Sequence, residues 1–254
     1  GALTGTRWTA TLHDALPEKT WIYRVDRQTR EVIFSALESE HEQRLPLEPF
    51  HGTIGVAPAA FERRNVLVPE AFGGNMDTPE ARAGTTLYFG VNVPGALFSL
   101  GDGHYRMGEG EVCGAAVEGA MNTVLAVDLI KGVYCEWPRF QDDDFLMVAG
   151  SYRPLEDAYR IAHTQLVRWI AAETGLELMD AYQLVSQIAQ PRIANVVDPN
   201  YTIVAKAPVR YLPGDVEWMA GVHGRLRKLA TSILGARKGL VPSSSAGTEE
   251  HPVS

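Results

Sequence analysis

Over the first 150 residues, short apolar runs alternate with turn residues; the runs lie at 21–25, 31–34, 53–56, 86–93, 112–117, 124–129 and 145–148. Pro58, Pro69, Gly73, Gly74, Pro94, Gly95, Pro138 and the glycines between 101 and 110 separate them. Such punctuated runs predict the strands of a sandwich or barrel. Beyond Pro154 the period lengthens. Leu155, Tyr159, Ala162, Leu166, Trp169 and Ile170 recur every three or four positions, the buried face of an amphipathic helix. Pro154 suits its first turn and Gly175 its end. Leu178, Ala181, Tyr182, Val185 and Ile188 predict a second helix that stops before Pro191. A strand is predicted at 201–205, then a helix at 222–234 that Gly224 weakens and whose outer face is basic.

Strands followed by helices, rather than strict alternation, predict an α+β fold. The β-rich, sandwich- or barrel-like region covers 1–150, and a smaller helical α/β region covers 151–238. Residues 239–254, rich in Ser, Gly, Glu and Pro, read as a flexible tail.

Composition narrows the function classes. A chain of 254 residues with 45% hydrophobic and 21% charged residues can bury an ordinary core. Its net charge of −8, with no Lys/Arg stripe, disfavours nucleic acid as a partner. No apolar run is long enough to span a bilayer, so no membrane association is expected. Cys113 and Cys135 alone make no disulfide scaffold, and the cytoplasm is the simplest home. The opening at Gly1, which is not Met, suits a processed chain or one part of a split protein.

The chemistry concentrates between Gly73 and Glu118. Asp102 and His104 are two apart, so in extended chain both side chains face one way and could share an ion. Glycines flank Asp102 and allow close backbone approach. Glu109 and Glu111 repeat the spacing, Glu118 follows where a strand could return antiparallel, and Asp77 arrives on a separate Gly-rich turn. Carboxylates with one imidazole suit a divalent ion better than a thiolate-type structural zinc site. Gly-Asp-Gly is also ordinary turn chemistry, and acidic residues of an acidic protein are commonly solvated. On spacing alone, a metal site and a solvated turn both stay open.

The runs Gly73-Gly74-Asn75-Met76-Asp77, Pro94-Gly95-Ala96-Leu97-Phe98, Gly101-Asp102-Gly103-His104 and Gly108-Glu109-Gly110-Glu111-Val112-Cys113-Gly114 resemble the acetamidase/formamidase family. So do Thr53-Ile54-Gly55-Val56-Ala57-Pro58, Glu118, Asp180-Ala181-Tyr182 and Val196-Val197-Asp198-Pro199, a likeness running from about 45 to 212. The resemblance implies a β-rich fold with a smaller α/β part and an amidohydrolase of short linear amides, with a divalent metal, Zn²⁺ first. It implies Asp102, His104 and Glu118 as metal ligands with Asp77 beside them, Glu109 as proton shuttle and Asn75 as a hydrogen-bond donor to the substrate oxyanion. Phe72, Gly73 and Gly74 would line the substrate.

Three departures qualify this resemblance. Phe72 stands where the family commonly has His, which favours a larger apolar group on the substrate. Ala189-Gln190-Pro191 replaces an Ala-Asp segment. Nothing matches the family's further N-terminal segment, and a second polypeptide is expected to supply it, in a homo- or hetero-oligomer.

Nucleophilic alternatives are weaker. Ser99 lacks the flanking glycines of a nucleophile elbow, and Cys113 on an expected strand reads as a buried structural residue. His51 reads as a packed or surface histidine, and the acidic run Asp142, Asp143 and Asp144 as a solvated loop. A second class remains, a non-hydrolytic member such as a biosynthetic lyase or cyclase, or a metal-binding scaffold subunit.

Overall fold

A computed structural model describes residues 1–6, 9 and 11–238; the expected tail at 239–254 lies outside the described residues. The strands are β1 (Ala2–Thr4), β2 (Lys19–Trp21), β3 (Arg24–Asp26), β4 (Glu31–Ser35), β5 (Glu42–Pro46), β6 (Phe50–Gly55) and β7 (Gly73–Asn75). They continue with β8 (Thr86–Tyr88), β9 (Ser99–His104), β10 (Arg139–Gln141), β11 (Phe145–Tyr152), β12 (Arg192–Asn195) and β13 (Tyr201–Pro208). The helices are α1 (Leu155–Thr174), α2 (Leu178–Ile188) and α3 (Val222–Lys238).

The centre is a five-stranded antiparallel sheet in the order β12-β13-β11-β10-β8. It takes strands from both sides of residue 150. Strand β11 reads Phe-Leu-Met-Val-Ala-Gly-Ser-Tyr, an apolar run of the kind buried on both faces. Leu146 and Val148 point into the core beneath the helices, with Trp169, Leu166 and Ile170 of α1. Met147 and Ala149 point the other way, against Ile54 of the three-stranded sheet β7-β6-β9 and Met76 just after β7. In β13, Ile203, Ala205 and Ala207 join the helix-side core and Val204 the opposite one. The result is three layers, helices on sheet on sheet, with α2 packed on α1. A β3-β4-β5 meander and a β1-β2 pair complete the β-rich part. Among the described residues no helix is long and apolar enough to cross a membrane.

The α+β expectation holds, and most of its elements form. Helix α1 ends at Gly175 in the left-handed conformation as expected, but Pro154 caps the helix rather than occupying its first turn. Helix α3 runs on to Lys238. Strand β8 stops at Tyr88 instead of running to 93. The strand expected at 112–117 does not form, because Gly110, Glu111 and Gly114 adopt left-handed backbone and fold the segment into turns. Its end does return antiparallel: Tyr105 N–H donates to Val117 O (2.8 Å), and His104 bridges Glu118. The run at 124–129 pairs with no strand among the described residues and leaves Val127 77% exposed.

Candidate active site

The site lies at one end of the β7-β6-β9 sheet. Register sets Phe50 opposite His104 and Thr53 opposite both Gly101 and Asn75, so Asp102, His104 and Asn75 converge around Gly52. A Cβ on Gly52 would collide with carboxylate oxygens of Asp102 and Asp77 and lie 2.9 Å from His104 Cε1. The absence of a side chain there makes the room in which the acidic groups meet. Asp77 enters on the turn after β7, with its N–H donating to Gly52 O (3.1 Å).

Carboxylates surround His104 Nε2. Asp102 Oδ1 is 3.2 Å away, Glu118 Oε2 3.3 Å and Asp77 Oδ1 3.8 Å. Glu111 joins Asp77 and His104 in a second, wholly buried grouping. The His104 ring is buried and meets Phe50 edge-on at 4.9 Å. Asn75 Nδ2 donates to Asp77 Oδ2 (2.8 Å) and to Asp198 Oδ2 (2.9 Å), while Thr53 Oγ1 donates to Asn75 Oδ1. Asp77, Asp102 and Glu111 all hold left-handed backbone, a conformation that L-residues adopt at a cost and that clusters at functional sites.

The electrostatics follow from crowding. Burial, then Glu111 and Asp198, push the Asp77 carboxyl well above the usual range. Burial also raises Asp198, and it raises Glu111 to about 7. Burial works against ionised Asp102, yet the hydrogen bond from His104 holds it below its usual value. Burial likewise works against the imidazolium, but Asp102 and Glu118 raise His104 to about 10. Five carboxyls thus share one imidazole, an excess of negative charge that a divalent cation would neutralise. Asp77 Oδ1, moreover, is buried with no hydrogen-bond partner. On these observations the residues fit a metal ion.

Of the residues read from the sequence, Asp77, Asp102, His104, Glu118 and Asn75 come together. Both Asn75 amide hydrogens are already engaged by carboxylates. Glu109 lies elsewhere, its carboxylate 2.7 Å from Arg192 Nε, and Glu111 holds the place beside His104. Gly73 and Gly74, with φ of 94° and 90°, press against the Ile54 and Val68 carbonyls, and the Phe72 carbonyl accepts from Val56 N–H (3.0 Å). These contacts hold the segment against β6 just ahead of Asn75 and Asp77. Cys113 is half-buried beside Thr4 rather than buried, and His51 binds Gly101 O (3.0 Å) and Thr123 Oγ1 (2.7 Å). Gly52, Thr53, Glu111 and Asp198 were not singled out as site residues. Glu111, in the two-residue repeat, Asp198, in its Val-Val-Asp-Pro run, and Thr53, at the head of the Thr53–Pro58 run, carried a signal, whereas Gly52 carried none.

Fold and cluster together define an α+β protein with a carboxylate–imidazole centre built on a buried histidine between strands. The chain belongs to the Acetamidase/Formamidase family, whose sequence model matches residues 15–212. It is 30% identical over 142 residues to an acetamidase of Mycolicibacterium smegmatis and 39% identical over 75 residues to a formamidase of Methylophilus methylotrophus. These matches take in 50% and 29% of the chain, and 34% and 18% of those relatives. The chain thus spans about a third or less of the curated relatives it matches. Among solved structures, an acetamidase from Yersinia enterocolitica superposes with a TM-score of 0.74 at 42% identity, over 84% of this chain and 62% of that one. An acetamidase from Bacillus halodurans gives 0.75 at 29% identity, over 82% and 68%.

Proposed function

We propose that this chain carries the site of a metal-dependent hydrolase that cleaves the C–N bond of a small carboxamide, releasing ammonia or an amine. The carrying observation is the group of Asp77, Asp102, His104, Glu111 and Glu118, buried at Asp77, His104 and Glu111 and open to solvent at Asp102 and Glu118, found in a member of this family. Asp102, His104 and Glu118 would hold a divalent ion, Zn²⁺ in the first instance, with Asp77 beside them. Such an ion supplies Lewis acidity to the amide carbonyl and lowers the pKa of a water molecule.

The chain's own groups do the rest. Glu111, buried beside His104, would take a proton and return it to the leaving nitrogen. Its placement gives it this task in preference to Glu109, which Arg192 holds. Asn75 spaces the Asp77 and Asp198 carboxyls by donating to both, and Thr53 fixes the amide's orientation. The imidazole is held by its pairing opposite Phe50 and by the edge contact with that ring.

A further polypeptide or a second copy also belongs to this reading. The apolar residues Val127, Leu129 and Val133 are exposed on a segment without strand pairing, which suits cover by another chain. Ammonia release from formamide, acetamide and bulkier amides, with and without chelator, tests the proposal. Release that the chelator abolishes supports it. No release from any amide by metal-loaded protein contradicts it and favours a non-hydrolytic role.

A further inference from the structure

The two buried acids nearest His104, Asp77 and Glu111, sit on separate turns that share no strand. Besides their direct contact, a chain of ion pairs outside the cluster links the two turns. Thr78, next to Asp77, donates from Oγ1 to Glu80 Oε2 (2.6 Å), and Glu80 is itself buried. Glu80 Oε1 accepts from Lys206 Nζ (2.9 Å) on β13 and from Arg192 Nη1 (3.3 Å) on β12. The same Arg192 reaches the other turn, its Nε donating to Glu109 Oε1 at 2.7 Å. Gly110, between Glu109 and Glu111, is stitched to the same strand, its N–H donating to Ile193 O (3.1 Å) and its carbonyl accepting from Val196 N–H (3.1 Å).

We infer that Arg192 is a positioning residue: its guanidinium spans Glu80 and Glu109 and thereby fixes the turn bearing Asp77 against the turn bearing Glu111. The planar fork of arginine suits it to bridging two carboxylates, which a lysine's single ammonium does less well. Burial would raise the Glu80 carboxyl, but Lys206, Thr78 and Arg192 together hold it below its usual range, so the anchor end stays charged. Both braced acids hold left-handed backbone, which persists only when its surroundings fix it. This role deepens the proposed function, since the separation of Asp77 and Glu111 matters for holding an ion and moving a proton.

The test is amide hydrogen exchange on the purified 254-residue chain, as wild type, R192A and E109A, together with Zn²⁺ affinity by calorimetry. In R192A, exchange at 77–81 and at 108–114 is expected to speed at least about tenfold, while the α1 amides keep their rate. E109A, which removes the exposed end of the brace, should loosen 108–114 alone. Zn²⁺ affinity should fall by roughly tenfold in R192A, because the turn bearing Asp77 would no longer be fixed beside the ligands. Wild-type exchange in both segments of both variants would overturn the inference. If R192A fails to fold, E109A decides by the same exchange readout. A wild type that binds no Zn²⁺ would sink the metal reading, while the exchange pattern would still decide for or against the brace.

Discussion

Gly52 has no room for a methyl group, because a Cβ there would run into Asp102 and Asp77. G52A should therefore keep its fold, lose about 1–3 kcal/mol of stability and lose at least about a hundredfold in amide hydrolysis. Wild-type turnover in that variant would show the acids are not where the reaction occurs. The two glutamates of the Gly108–Glu111 turn make a second contrast. E111Q should lower kcat by at least about a hundredfold and E109Q by less than about tenfold, measured as ammonia release. The reverse order would return the proton to Glu109. A third expectation concerns pH. In the metal-free protein Glu111 is raised to about 7 from 4.5, Asp77 and Asp198 are raised as well, and His104 is raised to about 10 from 6.5. Each folded-state group binds protons that the unfolded chain gives up. Their contribution is complete below the ordinary carboxylate pKa, and it is lost as pH rises through 7 and on toward 10. The metal-free melting temperature should accordingly fall from pH 5 to pH 8, by about 5 °C. Excess Zn²⁺ should flatten that slope, since binding favours the deprotonated ligands. A metal-free melting temperature that rises across the window would contradict the assignment.

At the scale of elements, helix α1 meets the central sheet at Gly150 on β11, where a Cβ would strike Ala158 O and lie 2.7 Å from Ala162 N. Both are backbone atoms that cannot swing aside. G150A should cost about 1–3 kcal/mol in urea unfolding, against little change for G214A, where nothing lies within 4 Å. Equal stability of the two variants would refute close packing of α1 on β11. The same elements show what the sequence disclosed. Strands β11 and β13 and helices α1 and α2 were legible because each buries a periodic or continuous apolar set. Strand β7 was not, since its Gly-Gly-Asn reads as a turn, nor was β10, three residues long with Arg139 and Gln141 at its ends. The run at 124–129 has strand composition, but pairing depends on a partner, which local pattern cannot supply. In the site, Asp102 and His104 were legible as a close pair, although Asp102 holds left-handed backbone and so does not follow the extended-chain alternation that pointed to it. Glu118 was legible from the antiparallel return. Glu109 and Glu111 share that spacing, but Glu111 and Gly110 are left-handed, so the alternation that places side chains on one face does not apply. Asp198 reaches Asn75 across 123 residues, a distance no motif spacing reports.

For the whole molecule, the order of layers explains where the chemistry sits. The helices stabilise one face of the five-stranded sheet, and the three-stranded sheet on the other face carries Gly52, Asn75, Asp102 and His104. Strand β12 reaches across to that site through Asn195, whose Nδ2 donates to Met76 O (3.1 Å), and through Arg192. Membership of the Acetamidase/Formamidase family agrees with this arrangement, and the acids drawn together around His104 are where the proposed chemistry would occur. The most direct test of that proposal is metal content measured beside ammonia release, on wild-type protein and on H104A. The account predicts bound divalent metal and amide-dependent ammonia from the wild type, with both lost in H104A. Undiminished metal content and turnover in H104A would contradict it.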